Sequence, residues 1–509
     1  MHHAHTSTCV VLGIEGRLVL VEADIGVGLP RTLVVGLPDT AVSEARERVK
    51  AAARNSGFSW PDTAVTINLS PANLHKTGSA LDLAVALAVL AADDVMPTHA
   101  AAGIVVLGEL GLDGTVRQVR GVLPAALAAR AAGVQALMVP LANAAEAALV
   151  PDLHVWPVTS LRHAVEVLRG VADPIAPEQW PQAHVAPASN SPDLADVRGQ
   201  AVARRALEVA AAGGHHLAMI GPPGVGKSML AERLPGLLPD LDDDAALEVT
   251  AVHSVAAPPG SVSGYVRRPP FQAPHHTASP VAVVGGGGGV PRIGLISLAH
   301  RGVLFMDEAP EFERRVLDAL RQPLESGVVV VSRAGFTIEL PARFQLVLAA
   351  NPCPCGPPPG RTCSCAPGAR RRYFTRLSGP LLDRIDVRLV LDPPTAADLA
   401  FDASTAESSA VVAERVAVAR DRARKRLAHT YCQCNAELPG PLLRRQFPLG
   451  DAARPLEAAM RAGVLTARGA DRVARLAWTA ADLAGRDRPN ADDVTGAVIF
   501  RDAGGRWAA

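Results

Sequence analysis

The chain has 509 residues, enough for about three domains, with 49 % hydrophobic and 20 % charged residues. Fifty basic residues cancel fifty acidic ones, which excludes a uniformly basic nucleic-acid coat. Aromatics reach only 4 %, too few for a base-stacking binder of single strands. No apolar run nears the ~18 residues of a membrane span. The opening residues, with His2, His3 and His5, have no apolar signal region and read as a tail. With no such signal and no regular cysteine framework, the chain reads as cytoplasmic, with no membrane partner.

In chain order, residues 1–170 read as one α/β unit. Val10, Leu12 and Ile14 alternate as in a strand, as do Val65, Ile67 and Leu69. Asp39 or Thr40 starts a helix to about Ala53, and Ala80–Ala92 is a second helix. Asp113-Gly114 marks a hairpin between short strands, and a helix from about Leu123 stops at Gly133. Residues 171–192 hold five prolines and read as a linker. A second unit, carrying the motifs taken up below, is expected over 193–394, and a helical one over 395–509. Helices there are expected at Ala406–Ala428, Asp451–Ala462, Thr466–Ala484 and Ala491–Phe500. Residues 360–509 carry 24 basic and 17 acidic residues, so the positive charge gathers at the end. The run Arg420, Arg422, Arg424, Lys425 and Arg426 reads as a solvated helix face. Gly285–Gly289 reads as a mobile loop.

The chemistry starts at Gly221-Pro222-Pro223-Gly224-Val225-Gly226-Lys227-Ser228, which matches G-x-x-x-x-G-K-[ST] after the apolar strand Leu217–Ile220. Its glycines turn backbone N–H groups toward phosphate oxygens at a helix N-terminus. Lys227 is placed to reach the β/γ-phosphates of ATP, and Ser228 to ligate Mg²⁺. Val303–Met306 is an apolar strand ending in Asp307 and Glu308, an Mg²⁺ holder and a base for the attacking water. Leu346–Ala350 ends at Asn351, whose amide can orient the same water.

This order resembles an AAA+ ATPase. Three strings narrow it: Pro270–Thr277 (P-F-Q-A-P-H-H-T), Asn351–Gly356 (N-P-C-P-C-G) and Ser378–Asp386 (S-G-P-L-L-D-R-I-D). Together they resemble the ComM/YifB branch of the magnesium-chelatase-related ATPases over nearly the whole chain. The resemblance implies a ring, expected to be a hexamer, with ATP sites between subunits, DNA as partner, and branch migration in recombination. It implies that Arg384 is a finger in a neighbour's site, that Arg468 is the lid's sensor arginine, and that Val328–Leu340 is a channel hairpin bending at Arg333-Ala334-Gly335. Gln272 and Leu295 depart from the family pattern, which usually has Arg and an acidic residue there. A chelatase-like remodeller of a metal-insertion complex is the alternative, although no D-x-S-x-S partner site is recognisable. His275 and His276 form a pair without a third nearby metal ligand.

The front unit resembles the ribosomal-S5-type fold shared with Lon proteases, at Asn68–Ala80. The nucleophile position falls on Ala80 and the lysine base on Pro124, so hydrolysis is not expected. Ser79 reads instead as a helix N-cap with Asp82 three residues on. Cys353, Cys355, Cys363 and Cys365 form two C-x-C pairs, a candidate Zn²⁺ set tighter than the usual spacing, with reduced thiols as the other reading. Cys432 and Cys434 form a third pair. Arg361, Arg370, Arg371, Arg372 and Arg376 carry no acidic residue among them and suit phosphate contacts or a subunit interface.

Overall fold

The computed structural model describes residues 3–37, 40–74, 76, 78–181, 192–287, 292–333, 336–356, 363–395 and 406–502. Asp39, Ala334, Gly335, Arg361 and residues 182–191 of the expected linker therefore lie outside the described residues.

The front part is a seven-stranded sheet in the order Arg31–Val35, Ala64–Ser70, Glu15–Gly26, His3–Leu12, Ile104–Val106, Ala136–Pro140, His154–Val158. Its spine is a long antiparallel hairpin in which His3 pairs with Asp24 and Leu12 with Glu15. The early histidines are thus not a tail: from His3 onward the backbone hydrogen bonds are taken up by a neighbouring strand. Ile14 falls in the turn rather than the strand. Val19, Val21 and Ala23 alternate inward, toward the helix Asp82–Ala92. That helix is apolar on every face and wholly buried, so it is a core helix rather than an amphipathic surface one. Thr6 and Thr8 are buried beside it and spend their hydroxyls on the carbonyls of Ala84 (2.9 Å) and Val106 (2.7 Å).

Ser79 does not cap this helix. Its hydroxyl bonds Glu109, and Asp82 is held by a two-pronged Arg48 at 2.6 and 2.9 Å. A buried carboxylate needs a full-strength cation more than the helix needs a box, which decides the arrangement. Burial pushes the Asp82 carboxyl up, against the pull of Arg48.

The second sheet is fully parallel, in the order Phe271–Gln272, Val303–Met306, Gln345–Ala350, Leu217–Ile220, Val387–Val390. Helices cover both faces, so its strands are continuous apolar runs rather than alternating ones. Three adjacent strands run out at Gly221, Asp307 and Asn351: Ile220 pairs with Ala350, and Met306 with Leu348, two residues before that strand's end, so their carboxyl ends open one crevice. The strands Val328–Arg333 and Phe336–Pro341 form a separate hairpin. Gly285–Gly286 pairs with Arg292–Ile293, so the start of the glycine tract is ordered.

The final helices are Ser409–Leu427, Gly440–Gln446, Arg454–Arg461, Ala467–Leu483 and Ala491–Asp502. Thr466 caps the fourth by accepting the Gly469 N–H at 3.1 Å. In the basic run on the first, Arg424 and Lys425 are solvated as expected, but the other three are committed to partners. Arg420 donates to Ala211 O (2.8 Å) and Arg422 to Asp487 (2.9 Å). Arg426 bonds Asp482 (2.7 Å) and lies 4.5 Å from the Trp478 ring centre. Among the described residues, no helix is long and apolar enough to cross a membrane.

The front sheet and the nucleotide sheet are joined through side chains. The helix Val122–Ala131 packs on Asp243–Ala256. There the buried Glu146 takes the Ser254 hydroxyl, while Gly121 N–H donates to Ser254 O at 3.0 Å. Leu12 and Ile14 pack with the base of the separate hairpin. A side chain on Gly13 would stand 3.2 Å from Leu340 Cδ2.

Candidate functional site

The loop after Leu217–Ile220 is shaped by its glycines. A Cβ on Gly221 would fall 2.8 Å from Leu391 O and 2.9 Å from Val225 Cγ2, so the chain passes too closely for any side chain. Gly224 and Gly226 have φ of 80° and 94°, and nothing lies within 4 Å of where their Cβ atoms would be. That is the left-handed backbone glycine allows, facing open space. The loop runs into the helix Lys227–Arg233.

Lys227 is the cation of this loop. Its Nζ donates to Gly221 O (2.8 Å), Pro222 O (2.9 Å) and Asn351 Oδ1 (3.1 Å). Burial pulls its ammonium below the usual lysine range, while Asp307 and Glu308 pull it back up. An ammonium satisfied only by neutral oxygens fits a site that receives an anion. Ser228 Oγ donates to Asp307 Oδ2 at 2.7 Å, which places side by side two oxygens that could hold a hard cation. The donor set therefore fits ATP with Mg²⁺.

Asp307 Oδ1 also accepts the Glu308 N–H (2.8 Å), and Glu308 has a left-handed backbone with φ of 49°. The turn swings the Glu308 carboxylate out of the strand line, half exposed, to 3.3 Å from His276 Nδ1. His276 stacks on His275, ring centres 4.2 Å apart. The sequence singles out this pair without a role. Its position beside Glu308 depends on the turn after Phe271–Gln272, which no spacing rule reports. Gln200 was also not foreseen: its amide donates to Asp392 O (2.8 Å) and to Val225 O (3.5 Å), tying the loop to the end of the last parallel strand.

Lys227, Ser228, Asp307, Glu308 and Asn351 thus converge. Arg384 and Arg468 point elsewhere within the chain. Arg384 follows the short helix Gly379–Asp383 and bonds Glu325 and Pro380 O (2.6 Å). Arg468 stands 3.4 Å from Asp383 and is 80 % exposed. The four cysteines also meet, with all sulfurs within 4.8 Å of one another. Cys432 and Cys434 are not part of that group; Cys432 is buried against Glu437 O at 3.5 Å. Arg376 does have an acidic partner, Glu311 at 3.0 Å.

A five-stranded parallel sheet with this loop, acidic strand end and helical cover is an AAA+-like fold of the magnesium-chelatase kind. Residues 193–399 match the family "Magnesium chelatase, subunit ChlI", and 406–501 its C-terminal part. Residues 21–143 match "Subunit ChlI of Mg-chelatase". Relatives cover both chains almost end to end. An uncharacterized protein of Mycobacterium tuberculosis is 50 % identical over 497 residues, 97 % of this chain and 98 % of the relative. The protein YifB of Escherichia coli is 42 % identical over 97 % of this chain and 96 % of its own. The competence protein ComM of Haemophilus influenzae is 41 % identical over 94 % and 93 %. The chain belongs to the ComM/YifB family of magnesium-chelatase-related proteins.

Proposed function

We propose that the chain is a ring-forming ATPase whose turnover drives branch migration of DNA during homologous recombination. The observation that carries the ATPase half is the convergence of Lys227, Ser228, Asp307, Glu308 and Asn351 at one sheet edge. Ser228 and Asp307 would hold Mg²⁺, which supplies charge neutralisation on the phosphates. Lys227 exchanges its carbonyl partners for phosphate oxygens. Asn351, released from Lys227, orients the attacking water, and Glu308 accepts its proton. The DNA half is supported by the kinship with a competence protein and by the exposed arginine helix Pro367–Phe374. Arg384 would leave Glu325 for the ATP of a neighbouring subunit, giving a hexameric ring its cooperativity. The front sheet is read as an S5-type domain without protease chemistry: Ser79 is spent on Glu109, and Pro124 offers no base.

The test is ATP-dependent migration of a four-way DNA junction with Lys227→Ala as control. Migration by the wild type alone upholds the proposal. Turnover indifferent to every DNA, with no junction migration, overturns it and moves the reading to a chelatase-like remodeller of a partner complex.

A further inference from the structure

Cys353 and Cys355 follow Asn351 directly, and Cys363 and Cys365 stand just before the helix Pro367–Phe374. Cys353 is buried, and the other three line the surface side. The Cys353 and Cys355 sulfurs are 3.1 Å apart, and those of Cys355 and Cys363 are 3.6 Å apart. None of the four is in a disulfide. Four thiolates gathered around zinc at the ordinary Zn–S length of ~2.3 Å have sulfurs about 3.8 Å apart. The observed cluster needs only small side-chain adjustments to reach that. The Cys365 N–H donates to Cys363 Sγ at 3.4 Å, an amide-to-sulfur bond of the kind that steadies a thiolate ligand.

We propose that these four cysteines form a structural Zn²⁺ site, one ion per chain, that clamps the nucleotide-sensing strand end to the arginine helix. The ligand set is closed, with four protein sulfurs and no open position, so the ion is structural rather than catalytic. Binding sends the thiol protons to solvent. Four thiolates and one Zn²⁺ carry a net −2, and the adjoining helix presents Arg370, Arg371 and Arg372 at exposed positions. Those cations offset the site's charge locally, as bound ions require of their surroundings.

The clamp has two further ties, each to a part of the ATP site. The Tyr373 hydroxyl, on the same helix, reaches the Asn351 backbone. Just past the helix, Arg376 donates to Pro310 O at 2.9 Å and to Glu311 at 3.0 Å, in the turn that follows Glu308. The metal-held loop, the arginine helix, Asn351 and the Glu308 turn therefore form one connected unit. This goes beyond the ATPase reading, because the site is assembled from residues that touch neither phosphate nor water.

The experiment uses the full-length protein, purified without chelator. Metal analysis by plasma mass spectrometry is expected to find one zinc per chain. Cys355→Ser is expected to lose it, while Cys432→Ser keeps it. Replacement by Co²⁺ is expected to give thiolate charge-transfer and tetrahedral ligand-field bands. These wild-type measurements stand even where Cys355→Ser fails to fold. On zinc removal, hydrogen exchange is expected to rise at 345–351 and 309–311 and not in the front sheet. Absence of stoichiometric zinc, iron in its place, a disulfide among the four cysteines, or zinc retained by Cys355→Ser overturns the site. Unchanged exchange on zinc removal overturns the clamp.

Discussion

His276 Nδ1 lies 3.3 Å from the Glu308 carboxylate, while Asp307 Oδ1 accepts the Glu308 backbone N–H, so the side chain proposed as the base is held at both ends. Such a contact restrains where the carboxylate points. His276→Ala is expected to lower ATP turnover by about 10-fold with nucleotide affinity unchanged, since only the base's aim is lost. Glu308→Gln is expected to lower it by about 10²–10⁴-fold. In the double variant the histidine effect should vanish, because it acts through Glu308. Steady-state turnover and fluorescent-nucleotide binding measure both; additive losses would contradict the relationship.

Gly221→Ala separates loop shape from charge. Its Cβ meets Leu391 O and Val225 Cγ2, so the loop must move, at a cost of about 1–3 kcal/mol. Nucleotide affinity should fall together with thermal stability. Lys227→Ala should abolish binding while leaving stability nearly intact, because the lysine's partners in the empty loop are neutral oxygens.

Arg384 offers a test of shared sites. If it serves a neighbour's ATP, Arg384→Ala subunits are inactive alone, yet each still provides an intact loop. Mixing them with Lys227→Ala subunits should restore part of the turnover, as wild-type loops meet wild-type arginines at some interfaces. No recovery across mixing ratios, with rings formed, would place Arg384 in its own chain's Glu325 pair only.

The nucleotide strands were legible because a parallel sheet covered on both faces needs unbroken apolar runs, as Leu217–Ile220, Val303–Met306 and Leu346–Ala350 supply. The loop motif was legible because backbone-to-phosphate geometry fixes its spacing. Contacts that cross the fold were not. His276 reaches Glu308 only through a turn, and His3 finds Asp24 only once the hairpin has closed. Arg420, Arg422 and Arg426 looked like part of a solvated face because their acceptors are distant in sequence: Ala211 and Asp482 lie in other helices and Asp487 in the loop after Ala467–Leu483. Ser79 misled for the same reason: Glu109 is thirty residues away. The helix Gly440–Gln446 escaped because it is short and opens on a proline.

His216 sets an acid limit on stability. Its Nδ1 accepts the Leu346 N–H at 3.0 Å, which needs an unprotonated nitrogen. Burial pulls its pKa down to about 4, against the attraction of Asp386. The unfolded chain takes up this proton near pH ~6.5, and the folded chain does not. The contribution is therefore complete above that pH and drains away as pH falls toward about 4. Melting temperature should decline across this window, and His216→Gln should flatten the decline. The Asp386 carboxyl, held well below the usual range by Arg472 and the neighbouring histidines despite burial, gives way only in stronger acid.

The Glu146–Ser254 bond joins the two sheets, and Ser254→Ala leaves a buried carboxylate short of a donor. A loss of about 1–3 kcal/mol is expected. Urea unfolding should show the front sheet and the nucleotide sheet separating into two transitions. A single unshifted transition would contradict the role given to this bond.

The contact of Gly13 with Ile338 and Leu340 also sets a schedule for the newborn chain. The first hairpin of the protein leaves the ribosome long before the residues that cover its turn. At ~5–20 residues per second, the intervening 325 residues take roughly 16–65 s to synthesise. Leu12 and Ile14 face water throughout that interval, and after His154–Val158 has emerged they do so beside an otherwise finished sheet. Ribosome-bound intermediates shorter than about residue 340 should therefore be the ones that recruit chaperones, and release from them should coincide with emergence of the second hairpin.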